Sequence, residues 1–284
     1  NKMAFVAEPT GRVLHNARLI EEGSGYREKN AFNILASSDE WFSPVHAEVG
    51  PDGSLWVADW YNFIIQHNPT PRGFDNGEGN AYINPLRDRQ HGRIYRLTYK
   101  GNESSKTFDL KDASASELLD AMKSDNMFWR LTAQRLIVET QNKEVVDGLY
   151  EIINSTEVDE AGLNGPAVNA LWTLKGLGEL EGNNAKAQEV VEKALSHPSA
   201  GVRKNAVRVI PRNQAALDAI LAAKLMDDSN LQTRKQAILV VSELPASADV
   251  SKKLLAISEN QDNAKDEYLP QAIFAAALTH PSAF

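Results

Sequence analysis

An alanine recurs at a nearly constant interval through the last two thirds of the chain, and this repeat restricts the fold more than any other feature. The aligned positions, separated by 37, 36, 31 and 35 residues, are Ala133, Ala170, Ala206, Ala237 and Ala272. Apolar residues follow most of them three and four positions later, which is the spacing of one helix face. A helix pair of this length cannot bury its apolar face without neighbours. The interval therefore predicts a solenoid of about five stacked helix pairs over residues 114–284.

Short polar breaks precede the helices that carry these alanines. They occupy residues 124–126, 197–199 and 227–229 and are rich in residues that cap helix N-termini. Small residues at the aligned positions let neighbouring helices approach closely. The pattern resembles short bacterial HEAT repeats, whereas the tryptophan, glycine and tyrosine positions of TPR repeats, which have a similar period, are not found.

The first hundred residues have a different character, with aromatic and β-branched residues in short runs between glycine and proline turns. The clearest pair of runs, residues 45–49 and 55–58, flanks a Gly-Pro-Asp-Gly sequence that predicts the turn of a β-hairpin. Small apolar residues alternate with His46 and Glu48 in the first run. We therefore expect one apolar and one polar face on this strand.

Three segments follow from this division. Residues 1–100 are predicted to form antiparallel strands, residues 101–113 a linker, and residues 114–284 the helical repeats. Further strands are predicted at residues 2–7, 11–19, 32–36, 63–67 and 92–97. Residues 21–30 are predicted to be a polar connector and residues 68–90 a long irregular loop.

Charge and residue usage exclude several classes of function. The net charge is −8, and it is concentrated after residue 100: residues 101–284 carry 19 basic and 26 acidic residues, against 11 and 12 in residues 1–100. An acidic segment without a basic stripe argues against nucleic acid as a partner. No apolar run reaches the ~20 residues that a membrane span requires. The chain has no cysteine, so thiolate metal sites and cysteine nucleophiles are excluded.

Four segments of the sheet half carry a family resemblance. They read Phe-Val-Ala-Glu-Pro at residues 5–9, Ala-Ser-Ser-Asp-Glu-Trp-Phe-Ser-Pro at residues 36–44, Val-Gly-Pro-Asp-Gly-Ser-Leu-Trp-Val-Ala-Asp-Trp-Tyr at residues 49–61, and Gly-Arg-Ile-Tyr-Arg at residues 92–96. Together they resemble the closing blades of the six-bladed β-propeller in a bacterial membrane-bound dehydrogenase family related to glucose and sorbosone dehydrogenases. Two departures are the serine at position 43, where relatives often have arginine, and the missing Cys-x-x-Cys-His haem motif.

The resemblance implies an α+β multidomain fold in which incomplete antiparallel propeller blades precede the HEAT-like α-solenoid. It implies a large periplasmic or extracellular parent that oxidises a sugar or related alcohol with a quinone, haem and calcium, while this segment holds no cofactor and is inactive alone. Its partners would be the rest of the propeller and neighbouring domains. The alternative is a non-enzymatic scaffold that binds carbohydrate or protein, with the helical repeats as an interaction or bracing module.

Candidate site residues lie at one end of the central hairpin. The resemblance carries over Asp39, Trp41 and Tyr61 as substrate-binding positions, with the two carboxylates of Asp39 and Asp59 orienting a sugar hydroxyl or holding a cation and the aromatic rings stacking on a sugar or quinone. Asp59 is also a candidate for catalysis. The alternative is a purely structural role, in which aspartates at strand ends cap turns and the aromatic rings pack between blades.

Two further sets of residues are weaker candidates. His46 and Glu48 share one strand face and have the chemistry of an acid and base pair or of two metal ligands, although a buried polar contact is the more common role of such a pair. Asp75, Asn76 and Glu78 offer oxygen ligands and neighbouring glycines suited to calcium, but their order departs from an EF-hand loop and a solvated loop is the simpler interpretation.

Overall fold

The computed structural model describes residues 3–65, 88, 90–101, 106–181 and 184–284. These residues form two compact units. The sheet unit comprises Asn1–Ile20 and Arg27–Lys106, and the helical unit comprises Glu21–Tyr26 and Thr107–Phe284. No helix in the described part of the chain is both long and apolar enough to span a membrane.

The described residues contain six β-strands in two three-stranded sheets, with strand orders β1-β2-β3 and β4-β5-β6. Neighbouring strands are antiparallel. The strands are β1 (Met3–Glu8), β2 (Val13–Glu22), β3 (Gly25–Ala36), β4 (Pro44–Val49), β5 (Leu55–Asp59) and β6 (Arg93–Leu97).

The predicted fold class is wrong for the sheet half. The described strands form two separate three-stranded sheets with no propeller closure, and neither has the fourth strand of a propeller blade within the described residues. The predicted connector at residues 21–30 instead contains the end of β2, a two-residue turn and the start of β3. Its charged side chains are exposed on both faces, so the segment shows no alternation of apolar and polar residues that would indicate a strand.

The central hairpin is confirmed. β4 and β5 pair with Glu48 opposite Trp56, and the amide of Gly53, whose φ is +76°, donates to the carbonyl of Gly50 at 3.0 Å. The predicted apolar strand face is wrong in part, because Val45 and Val49 are 48% and 40% exposed. The core at this hairpin is built from Leu55 and Val57 of β5 and Leu14 of β2, with Ala47 of β4 packed against them.

The described residues of the helical unit contain eleven α-helices. They are α1 (Ala115–Met122), α2 (Met127–Thr140), α3 (Val146–Asn154), α4 (Gly165–Gly176), α5 (Ala185–Ala194), α6 (Ala200–Val209), α7 (Gln214–Ala222), α8 (Leu231–Val241), α9 (Ala248–Ser258), α10 (Gln261–Lys265) and α11 (Leu269–Thr279). Short 3-10 turns occur at Lys143–Val145, Leu225–Asp227 and Pro281–Ala283.

Side-chain caps start most of these helices. Ser114 and Glu117 form a reciprocal capping box at α1, and asparagine side chains accept hydrogen bonds from the first-turn amides of several later helices. These asparagines are Asn126, Asn164, Asn184, Asn213, Asn230 and Asn260. The break at residues 124–126 therefore caps α2 through Asn126, whereas Ser199 starts α6 without a side-chain hydrogen bond and α8 is capped by Asn230, one residue after the break at 227–229.

The helices that carry the aligned alanines pack against one another in chain order. α2 contacts α4, α4 contacts α6, α6 contacts α8, and α8 contacts α11. All five alanines are buried, with no more than 3% of their surface exposed. The repeated small residue thus lies where consecutive helices meet, and the buried apolar side chains of the helical unit form one continuous core.

The turn between β2 and β3 is held by the helices with which it is grouped. Asp266, just before α11, accepts hydrogen bonds from the amide of Ser24 at 2.7 Å and from its hydroxyl at 2.6 Å. Lys235 of α8 donates to the carbonyl of Ser24 at 2.6 Å. Gly23 has φ +56°, and a Cβ there would lie 2.2 Å from the Asp266 carboxylate. Glycine is therefore required for this contact.

Acid is expected to weaken the helical unit through Asp266. Burial raises the pKa of this carboxyl, but hydrogen bonds from Ser24 and from the amides of Tyr268 and Leu269 outweigh that effect and lower the pKa to about 2. Because the folded-state pKa lies below the ordinary value of 3.8, the stabilisation is complete above pH ~4 and is lost as the pH falls towards 2. After allowance for solvent screening we expect a loss of about 1 kcal/mol.

The measurement is the free energy of unfolding of the helical unit by urea between pH 5 and pH 2.5. Asp266→Asn is the matched control, because the amide keeps one acceptor oxygen but has no charge to titrate. The difference in free energy of unfolding between the unchanged protein and Asp266→Asn should shrink as the pH falls over this interval. A constant difference would contradict the assignment to Asp266.

Candidate functional site

Asp59, the last residue of β5, is the buried centre of the candidate site. Its side chain is fully buried. One carboxylate oxygen accepts hydrogen bonds from the amides of Ser43 at 2.7 Å and Tyr61 at 2.9 Å, and the other accepts from Arg93 Nε at 2.7 Å. These three donors tie the residue before β4, the residues after β5 and the start of β6 to one carboxylate.

Arg93 joins the two predicted aspartates. Its Nη1 donates to Asp39 Oδ2 at 2.6 Å while its Nε is bound to Asp59. The amide of Trp41 and the guanidinium of Arg93 lower the pKa of Asp39 below its ordinary value. Both carboxylates are therefore occupied by one cation, which leaves less negative charge for a bound metal ion than the sequence suggested.

One of the two predicted aromatic rings lies against the same guanidinium, and the other stacks on that ring. The rings of Trp41 and Tyr61 are stacked with centroids 5.4 Å apart, and the Arg93 guanidinium carbon lies 4.3 Å from the Tyr61 ring centroid. Tyr61 has φ +56°, a conformation that non-glycine residues adopt only where surrounding contacts hold it. We call Asp39, Trp41, Asp59, Tyr61 and Arg93 the Arg93 cluster. The structure thus brings together four residues that the sequence predicted as one site.

His46 and Glu48 are not part of the Arg93 cluster. His46 lies opposite Ala58 and Glu48 opposite Trp56 across the hairpin, so their side chains project from the sheet face opposite to that of Asp59. Their side chains are 69% and 68% exposed, with His46 Nε2 3.5 Å from Glu48 Oε2. The common alternative of a buried polar contact is therefore wrong for this pair. An acid and base role stays a prediction.

The calcium prediction lies outside the described residues, because Asp75, Asn76 and Glu78 fall between residues 65 and 88. Within the described residues, no group of three or more histidine, aspartate or glutamate side chains is placed to hold a metal ion. Calcium binding at residues 75–78 stays a prediction that calorimetry with added Ca²⁺ would test.

Arg93 is the central residue that sequence reasoning missed. The sequence predicted a strand around it, at residues 92–97, and the structure pairs it directly opposite Asp59 in the β5–β6 register. An arginine at the start of a strand and an aspartate at the end of another were the available signal. The register that joins them was not predictable, because more than thirty residues separate the two strands.

Comparison with known proteins identifies part of the chain. Residues 1–101 match a family described as a domain of unknown function, DUF7133. The match covers less than half of the 284 residues. No curated protein matches the chain. The Arg93 cluster lies within the matched region.

Proposed function

We propose that this chain serves as an interaction and bracing module of stacked helix pairs, with no turnover of its own. The observation that carries the proposal is the ordered packing of α2, α4, α6, α8 and α11 on one another. Stacks of this kind expose long surfaces that bind proteins or support neighbouring domains. Sugar oxidation by a longer parent protein, which the sequence resemblance implies, stays a prediction.

Polar contacts between consecutive helices support this role. Asn169 of α4 contacts two residues of α2: it accepts a hydrogen bond from Arg130 at 3.1 Å and donates one to Gln134 at 2.8 Å. Trp172 of α4 donates to Asn205 of α6 at 2.9 Å. Such contacts fix the position of each helix pair relative to the next, as a module that supports neighbouring domains requires.

The contacts of the Arg93 cluster favour a structural role over catalysis. The carboxylates of Asp39 and Asp59 both bind Arg93, and the Tyr61 ring contacts both Trp41 and that guanidinium. A sugar or quinone would have to displace these contacts in order to stack on the rings or bind the carboxylates. Ion pairing and ring stacking between neighbouring strand ends explain the same residues without a ligand.

The experiment is a search for turnover and carbohydrate binding with the purified full chain. We expect no quinone-dependent dye reduction above the buffer rate with a panel of sugars, and no saturable heat on titrating the same sugars. A sugar-dependent rate would overturn the proposal in favour of an enzyme. Saturable binding that Trp41→Ala abolishes, with Trp60→Ala as the exposed-tryptophan control, would favour a carbohydrate-binding scaffold instead.

A further inference from the structure

An uncharged groove lies along α11. It has a volume of about 510 Å³ and is lined by side chains that include Ile273, Phe274, Ala277, Leu278 and Phe284. Phe274, Leu278 and Phe284 are 67%, 69% and 62% exposed. From Leu269 to Phe284 the sequence contains no Asp, Glu, Lys or Arg. Exposed aromatic and aliphatic side chains gathered in one groove indicate a surface that another protein segment covers.

The position of this groove follows from the way the internal helices stack. Gln134 and Trp172 lie one and two positions after the aligned alanine of their helices, and each contacts the following helix of the stack. Their partners, Asn169 and Asn205, lie one position before the aligned alanine of that following helix. Side chains one position after the alanine in α2 and two positions after it in α4 therefore reach the following helix of the stack.

In α11 the corresponding positions are Ile273, which is buried, and Phe274, which is exposed. With Ala277 and Leu278, one turn further on, they form what we call the forward edge of α11. α8 packs against α11 from the preceding pair. The forward edge is thus the surface on which a following helix of the same stack would lie.

Residue chemistry separates α11 from the internal helices at these positions. In the four other helices that carry an aligned alanine, the residues aligned with Phe274 are Arg135, Trp172, Arg208 and Leu239. Those aligned with Leu278 are Glu139, Gly176, Arg212 and Glu243, of which Arg212 and Glu243 form an ion pair at 2.6 Å. Five of these eight residues are charged, whereas α11 has phenylalanine and leucine at the two positions.

We propose that the forward edge of α11 docks the second helix of a further helix pair of the same kind. The occupant would present a small aligned residue to Ala277 and place aliphatic side chains against Phe274 and Leu278. An amide one position before the small residue would match the asparagines found there in α4 and α6. The inference rests on the proposed function, since it names the class of partner that the stack binds.

The test extends the full chain after Phe284 with a copy of its own residues 213–247, which contain α7 and α8. We expect amide hydrogen exchange in the copied α8 to slow at least ~100-fold relative to an unstructured peptide. The double variant Phe274→Asp with Leu278→Asp should restore fast exchange in the copy. In the unextended chain the same double variant should leave exchange unchanged, because both side chains are about two-thirds exposed.

Met127→Asp is the control, because Met127 is a similarly exposed apolar residue at the start of α2. It should leave protection of the copy intact. Fast exchange throughout the copy, or protection that survives the double variant, would overturn the proposal. Dimerisation of the unextended chain that the double variant abolishes would also overturn it, because the occupant would then be a second copy. None of these outcomes depends on the sugar assays.

Discussion

Replacing Asp59 with alanine is expected to destabilise the sheet unit by about 2–4 kcal/mol, because three hydrogen bonds to a fully buried carboxylate are lost. The variant leaves the amide of Ser43, a fully buried residue, without its acceptor, and it frees one side of the Arg93 guanidinium. The measurement is hydrogen exchange at the amides of Ser43 and Tyr61 in the full chain, together with urea unfolding followed by tryptophan fluorescence.

Asp39→Ala is the matched control, since it removes the other carboxylate that binds Arg93. The Asp39 side chain is 38% exposed whereas that of Asp59 is fully buried. We therefore expect a much smaller loss of stability than for Asp59→Ala. Asp59→Asn should fall between the two variants, because it keeps an acceptor for the amides but loses the charge. Equal effects of Asp59→Ala and Asp39→Ala would contradict the central role of Asp59.

The second large effect is expected at Arg203 in α6. Its guanidinium forms a two-point ion pair with Asp228 at 2.7 and 2.8 Å, and Nη1 donates to the carbonyls of His197 at 2.8 Å and Pro198 at 3.0 Å. The side chains of Arg203 and Asp228 are 16% and 6% exposed. Arg203→Ala leaves a buried carboxylate without its partner, so we expect a loss of about 3 kcal/mol in the helical unit.

Two variants serve as controls for Arg203→Ala, one for the geometry of the ion pair and one for its burial. Arg203→Lys keeps the charge but cannot form the planar two-point contact, so it should recover less than half of the loss. Arg135→Ala removes an exposed ion pair to Glu139, at 3.0 Å with both side chains more than half exposed, and should cost at most about 0.5 kcal/mol. If Arg203→Lys were as stable as the unchanged protein, the two-point geometry of the arginine contact would not be important.

The helical unit was more predictable from sequence than the sheet unit because its signal is repeated. The aligned alanines, the apolar residues after them and the capping asparagines each recur, so several independent positions predict the same helix pairs. A solenoid contact also joins residues about one repeat apart, as Arg130 and Asn169 are. Local sequence therefore contains most of the information that fixes the stack.

The sheet unit depends on contacts that the sequence does not encode locally. The turn of the central hairpin was predictable, because proline and glycine have fixed backbone preferences. The first two strands of the first sheet were predicted at residues 2–7 and 11–19, but the start of β3 was not, since its exposed charged residues hide its strand character and suggested a connector in its place. The grouping of Asp39, Trp41, Asp59 and Tyr61 was expected from the resemblance, but the cation that organises them was not.

The most direct test of the stacked-pair architecture is native-state hydrogen exchange on the full chain and on Arg203→Ala. We expect the loss of protection to be largest in α6 and α8, to decrease towards α2 and α11, and to leave the sheet unit unchanged. Equal loss of protection in all eleven helices, as in a globular bundle that opens as one body, would contradict it.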